Sequence, residues 1–175
     1  MKRILLKISG EALNGSGDAI YDKSCLDNIC EMIKSIVTRK IQLAIVIGAG
    51  NLLRGRDAIT WDIKRPDADE VGMIFTVGNA LMLRNRLKMY DIHAVIMTPM
   101  VIGGSTKLFN RYEAIEKLDN GEVVIFGGGI GNPFVSTDYP AVQKAIEIDA
   151  DILYMAKNID AVYDSNPKIN SEAKR

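Results

Sequence analysis

The stretch Glu122–Asp138, EVVIFGGGIGNPFVSTD, runs from the apolar segment VVIF into a loop with four glycines, Gly127, Gly128, Gly129 and Gly131. It then passes through Asn132, Pro133, Ser136 and Thr137 to Asp138. A short β-branched run reads as a buried strand, and YPAVQKAIEIDA (residues 139–150) after it has helical spacing. Clustered glycine means a backbone that turns sharply or lets something approach closely. Taken alone, the loop is either a loose surface turn or a row of N–H groups that cradles an anion.

The same strand–loop–helix alternation extends in both directions. RILLKI (residues 3–8), QLAIVIG (42–48), IHAVIMT (92–98) and DILYMAK (151–157) read as strands, and SCLDNICEMIKSIVTRK (24–40) as a helix with Ser24 and Asp27 placed like a capping box. DEVGMIFTVGNALMLRNRLKMY (69–90) reads as a long helix, apolar on nearly every side, and RYEAIEKLDNG (111–121) as a short one ending at Gly121. Thr98 to Asn110 reads as an irregular excursion, and the tail from Asn158 is polar and turn-rich. Continuously apolar strands separated by helices predict an α/β fold, a mostly parallel sheet sandwiched between helices, in a single domain over residues 1–175. A helix apolar on more than one side must bury more than one side, so residues 69–90 lie either deep in the chain or at a subunit interface.

Composition narrows the function. Hydrophobic residues are 47% and charged residues 25%, as in ordinary globular proteins. Lys+Arg and Asp+Glu are 22 each, and this balance argues against nucleic-acid or membrane-surface partners. No apolar run is long enough to span a bilayer, and charge returns at Lys7 too early for a signal peptide, so the expected location is the cytoplasm. Cys25 and Cys30 fit neither a CxxC metal pair nor a disulfide framework and read as buried or half-buried thiols.

In a parallel sheet, ligands bind beyond the carboxyl ends of the strands. Three strands end there in glycine-bearing loops: KISGE with Lys7, Ser9 and Gly10; GAGNLLRG with Gly48, Gly50, Asn51 and Arg54; and the opening stretch. Together they predict a polyphosphate site. The usual fingerprints are absent, because no GxxxxGK[ST] occurs and GxGxxG fails at Leu53 and at Asn132. His93 has no evident partner, so neither a Ser-His-Asp triad nor a zinc site can be assembled, and no residue is assigned as a metal ligand. The remaining groups suit phosphoryl transfer, which needs positioning and neutralisation of charge more than covalent help. Lys7 supplies a fixed cation, Gly10, Gly50 and Gly128 to Gly131 supply N–H groups, and Arg54 suits bidentate phosphate binding. Asp138 opens a helix, either as its N-cap or as a carboxylate that holds Lys7 or magnesium.

These residues resemble the bacterial uridylate kinase branch of the amino-acid-kinase family. KRILLKISGEAL resembles its opening, VIGAGNLLRG its second motif, DEVGM its third, GGGIGNPFVSTD its fourth and MAKNIDAVYDSNP its fifth, in order from Lys2 to about Pro167. The Lys-x-Ser-Gly-Glu form points to this branch rather than to the carbamate-, glutamate- or acetylglutamate-directed ones. The resemblance implies transfer of a phosphoryl group from ATP to UMP with Mg2+. By the same resemblance Lys7, Ile8, Ser9, Gly10, Gly50 and Arg54 face the ATP phosphates, while Asn158, Tyr163 and Asn166 lie near its base and ribose. Ala49, Asp69 and the run Ile130, Gly131, Asn132, Pro133, Phe134, Val135, Ser136 and Thr137 hold UMP, and Lys7, Arg54 and Asp138 form the catalytic group. It also implies a homohexamer built from dimers.

Some positions depart from the family pattern. Ala49 stands where glycine is usual, Ile130 where threonine is usual and Asn166 where aspartate is commoner. Family members continue past the position of Arg175, so the expectation is a chain truncated within the half that completes the ATP site. The alternative is a non-catalytic nucleotide- or anion-binding storage protein on the same scaffold.

Overall fold

Strand parity and crossover handedness build the layers. The computed structural model describes residues 2–15, 19–53, 59–156, 163–165, 170 and 172–174. Its strands are β1 (Arg3–Ile8), β2 (Gln42–Ile47), β3 (Ala94–Thr98), β4 (Lys107–Leu108), β5 (Val123–Phe126) and β6 (Ile152–Met155). They form one sheet in the order β4-β3-β5-β2-β1-β6, and every neighbouring pair is parallel. The helices are α1 (Lys23–Val37), α2 (Arg65–Leu87), α3 (Arg111–Asp119) and α4 (Asp138–Glu147).

The chain moves toward the β4 end of the sheet through α1 and α2, and back toward β6 through α3 and α4. Right-handed crossovers therefore put α1 and α2 on one face and α3 and α4 on the other. The cores obey this. Ile4, Leu6 and Ile8 of β1 and Leu43, Ile45 and Ile47 of β2 pack with Leu26, Cys30 and Ile33 of α1 and Ala80, Leu83 and Leu87 of α2. The alternate residues Leu5, Ala44 and Val46 pack with Ala114 and Leu118 of α3 and Ala141 and Ala145 of α4. Both faces are covered, so the strands read as unbroken apolar runs.

Several sequence expectations are corrected in detail. The cap of α1 is Asp22, whose carboxylate accepts from Cys25 N at 2.8 Å; Ser24 already lies inside the first turn. Asp27 is released from capping and binds Lys23 Nζ at 2.8 Å and Arg86 Nε at 2.6 Å. Hydrogen bonds from these two cations hold its carboxyl down at about 2. Burial pushes the Cys30 thiol up to about 11, while Cys25 is half-buried. Helix α2 begins at Arg65, four residues earlier than the apolar pattern indicated, with Pro66 in its first turn where the missing N–H costs nothing. The excursion after β3 contains the short strand β4, tied back by Thr98 Oγ1 to Thr106 Oγ1 at 3.1 Å.

Helix α2 is not enclosed within the chain. Its inner face is buried from Ala68 to Leu87, whereas Val71 and Ile74 are 41% and 43% exposed. At the other end of the sheet β6 is the edge strand among the described residues, with Tyr154 and Met155 exposed.

The α1–α2 core is the better filled by large aliphatics, and Leu83 is fully buried in it. Leu83→Ala should destabilise the fold by about 2–5 kcal/mol, the usual range for a leucine cavity. Urea denaturation measures this, and a midpoint equal to that of the parent protein would contradict the assigned core.

Candidate functional site

Parity also builds the site. Lys7 shares its face of β1 with Leu5, so its side chain rises on the α3–α4 side, at the carboxyl end of the strand. Helix α4 begins directly above it. Lys7 is buried, and its Nζ lies 3.1 Å from Asp138 Oδ1. The reading of Asp138 as an N-cap is corrected, because Thr137 occupies that position and Asp138 is the first helical residue. Its carboxylate serves the lysine instead. A buried ammonium requires such a partner, and the N-terminal end of α4 stabilises the carboxylate.

The first two glycine loops interlock. A Cβ placed on Gly10 would come within 2.5 Å of Asn51 Oδ1, 2.7 Å of Gly50 N and 2.8 Å of Gly48 O, so only glycine allows this approach. Ile8 contributes through its backbone: its side chain lies in the α1–α2 core, and its carbonyl accepts from Gly48 N at 2.9 Å. Ser9 precedes a single 3-10 turn, Gly10–Leu13, and its carbonyl accepts from Ala12 N.

The third loop is clamped from two sides. Gly128 has φ +80°, and a Cβ there would meet Pro99 Cδ at 2.8 Å, so its glycine is required twice over. Its N–H donates to Thr76 Oγ1 of α2 at 2.6 Å. Farther along, Phe134 has φ +66° and donates its N–H to Asp69 Oδ2 at 2.8 Å. Asp69 also receives Arg65 Nε at 2.8 Å. Asp69 thus has a structural duty, holding the third loop onto α2.

Between the second loop, α2 and the third loop lies a cleft of 270 Å3. Of the residues singled out in the sequence, Ala49, Gly50, Asp69, Gly129, Ile130, Asn132, Val135, Ser136 and Thr137 line it. Lys7, Gly10 and Asp138 adjoin it through the interlocked loops and the start of α4. Gly131 and Pro133 shape the third loop without lining the cleft, Phe134 is largely exposed, and Tyr163 does not line the cleft. Arg54, Asn158 and Asn166 lie outside the described residues.

The sequence reading passed over Arg65, Met73 and Thr76, which also line the cleft. Arg65 stands one helical turn before Asp69, and that i, i+4 charge pair was a usable signal. Thr76 was hidden by the apolar residues around it. His93 is exposed just before β3, at the opposite end of the sheet. Among the described residues no group of three or more His, Cys, Asp or Glu side chains could hold a metal by itself, and no helix is long and apolar enough to cross a membrane.

The family described as the Amino acid kinase family matches residues 2–175. The uridylate kinase of Frankia alni is 40% identical over 176 residues, covering 99% of this chain and 69% of the relative. That of Legionella pneumophila (strain Corby) is 44% identical over 174 residues, covering 99% and 71%. The crystal structure of UMP kinase from Bacillus anthracis superposes with a TM-score of 0.89 at 43% identity, covering 99% of this chain and 72% of that one. UMP kinase from Ureaplasma parvum gives a TM-score of 0.89 at 32% identity, covering 99% and 74%.

Gly10→Ala tests the interlocked loops. The methyl group would displace backbone at Gly48 and Gly50, so thermal unfolding should occur several degrees lower and the cleft should lose its ligand-induced stabilisation. Unchanged melting with and without nucleotide would show that the loops do not pack this way.

Proposed function

This chain belongs to the amino acid kinase family, and from that premise we propose that it transfers the terminal phosphoryl group of ATP to UMP, giving ADP and UDP, a step of pyrimidine nucleotide biosynthesis. The observation that carries this reading is the buried Lys7 Nζ, fixed 3.1 Å from Asp138 where the glycine-bearing strand ends converge. The relatives' names, uridylate kinase and UMP kinase, give the acceptor. No observation favours the storage-protein alternative.

The chemistry follows from charge. Phosphoryl transfer spreads negative charge over the moving group's oxygens, and donors already in place stabilise it without reorganising. Lys7 meets that charge while Asp138 keeps its ammonium directed. The N–H groups of Gly10 and Gly50 bind phosphate oxygens of ATP, with Ile8 and Ser9 supplying the backbone that carries them. Arg54 adds a bidentate contact, and Asn158, Tyr163 and Asn166 face the ATP base and ribose, roles that rest on the sequence resemblance. UMP occupies the cleft, against Ala49, Asp69 and, from the third loop, Ile130, Asn132, Val135, Ser136 and Thr137. Ala49 and Ile130 make this wall more apolar than glycine and threonine would.

Mg2+ enters with ATP. Mg2+ needs few protein ligands when phosphates and water supply the rest, which fits a site where Asp138 stands beside Lys7 and no cluster of three or more acidic, His or Cys side chains able to hold a metal occurs among the described residues. The ion supplies charge neutralisation on the nucleotide.

Residues 1–175 act as one domain of this family in the cytoplasm, in a homohexamer built from dimers. The exposed Val71, Ile74 and Met82 of α2 favour that helix as the contact between copies. Light scattering at micromolar concentration should report an oligomer, and Ile74→Asp should lower its mass. A parent protein that is monomeric would remove the assembly from the proposal.

A coupled assay of ADP release, with UMP, CMP and AMP compared as acceptors, tests the reaction. UMP should be strongly preferred. Lys7→Ala should lower kcat by roughly a hundredfold or more, the scale of losing one charge-stabilising donor. Asp69→Ala should chiefly raise the KM for UMP. No UMP-dependent ADP release, or a Lys7→Ala variant with near-normal kcat, would defeat the reading.

A further inference from the structure

Asn79 lies in the middle of α2 with no solvent exposure, on a buried face that also carries Thr76, Val77, Ala80, Leu83 and Leu87. A buried amide is costly unless its two donors and two lone pairs are all used. Here they are. Asn79 Nδ2 donates to Gly48 O at 2.7 Å and to Asn51 Oδ1 at 2.8 Å. Its Oδ1 accepts from Tyr21 Oη at 2.9 Å and from Asn51 Nδ2 at 3.3 Å. Asn51 Nδ2 also reaches Ile20 O at 3.0 Å.

Each of these bonds ends on the second glycine loop or on what braces it. Peptide groups are planar, and no cis peptide bond occurs among the described residues. Holding the Gly48 carbonyl toward α2 therefore turns the Ala49 N–H away from the helix. Fixing Asn51 fixes the atom that packs closest to Gly10, so the constraint passes to the first loop as well. An alanine would suit the surrounding core; the amide serves the loop.

We propose that Asn79 is a positioning residue for phosphoryl transfer: it does not line the cleft, and it sets the orientation of the peptide planes from Gly48 to Asn51. This rests on the kinase reading of the glycine loops. Thr76, one turn earlier on α2, does the corresponding work for the third loop through Gly128 N. The two loops are therefore locked to one helix by different side chains, Asn79 for the second loop and Thr76 with Asp69 for the third, and loosening one loop leaves the other in place.

The test has a kinetic and a structural arm. Asn79→Ala should lower kcat about ten- to a hundredfold, the scale of an ångström-sized misplacement. The KM for UMP should rise by no more than about threefold, because Ala49 is the UMP contact in the displaced loop while the Asp69 and third-loop contacts are intact. Asn51→Ala should behave alike, and the double variant should be no worse than the poorer single one, since both act through one network. Amide hydrogen exchange should be faster in residues 48–53 of Asn79→Ala and unchanged in residues 127–131, with the reverse pattern in Thr76→Val. If Asn79→Ala does not fold, Asn51→Ala must give the same loop-specific exchange. Near-normal kcat, additive effects, or exchange that rises equally in both loops would overturn the proposal. A parent protein that makes no UDP would defeat the kinase reading instead, and the exchange arm would still decide whether Asn79 holds the loop.

Discussion

A lysine at the end of a central strand must be neutralised, and much of the site's arrangement follows from that. Lys7 is the seventh residue of the chain and sits between β2 and β6, so water cannot reach it freely from either side. The carboxylate that meets it comes from the start of α4, which must then stand directly over the carboxyl end of β1. This placement draws Thr137 toward Gly48, with the hydroxyl 3.5 Å from where a Cβ on that glycine would lie. The ion pair thus joins residues 131 positions apart and brings together the loops that follow β1, β2 and β5.

Helix α2 is the second organiser, and its sequence conceals that role. Its apolar residues hold it to the sheet, while Asp69, Thr76 and Asn79 each bind a loop backbone: Phe134 N, Gly128 N and Gly48 O. A loop held only by its own turns would fluctuate with solvent. A loop bonded to a packed helix inherits the rigidity of the core. Glycine supplies close approach, and the helix supplies the order that glycine lacks.

The layered fold was legible because its cause is local. Unbroken runs such as LAIVI require cover on both faces, and the helical spacing between them leaves parallel crossovers as the economical topology. The convergence of the three loops followed from that topology. Boundaries were less legible: Arg65 to Ala68 begin α2 without an apolar pattern, and β4 is two residues long. The cap at Asp22 was missed because Ser24 and Asp27 satisfy the same spacing rule, and Asp27 had a stronger partner in Arg86, 59 residues away. Asn79 and Thr76 were invisible for a related reason. Polar residues within an apolar helix look like interruptions until the backbone atoms they face are known. Arg54 was read from its place beside a glycine loop, and Asn158 and Asn166 from motif alone; all three fall outside the described residues.

The edge position of β6 has a colloidal consequence. Its inner side pairs with β1 from Ile152 to Met155, and among the described residues no strand pairs with its outer side; Tyr154 and, on α4, Val142 and Ile146 are exposed. An unpaired strand margin is a template for any extended peptide of similar character. Wherever this margin stays unpaired it favours association of concentrated chains, because a formal net charge of zero supplies no long-range repulsion to keep two such margins apart.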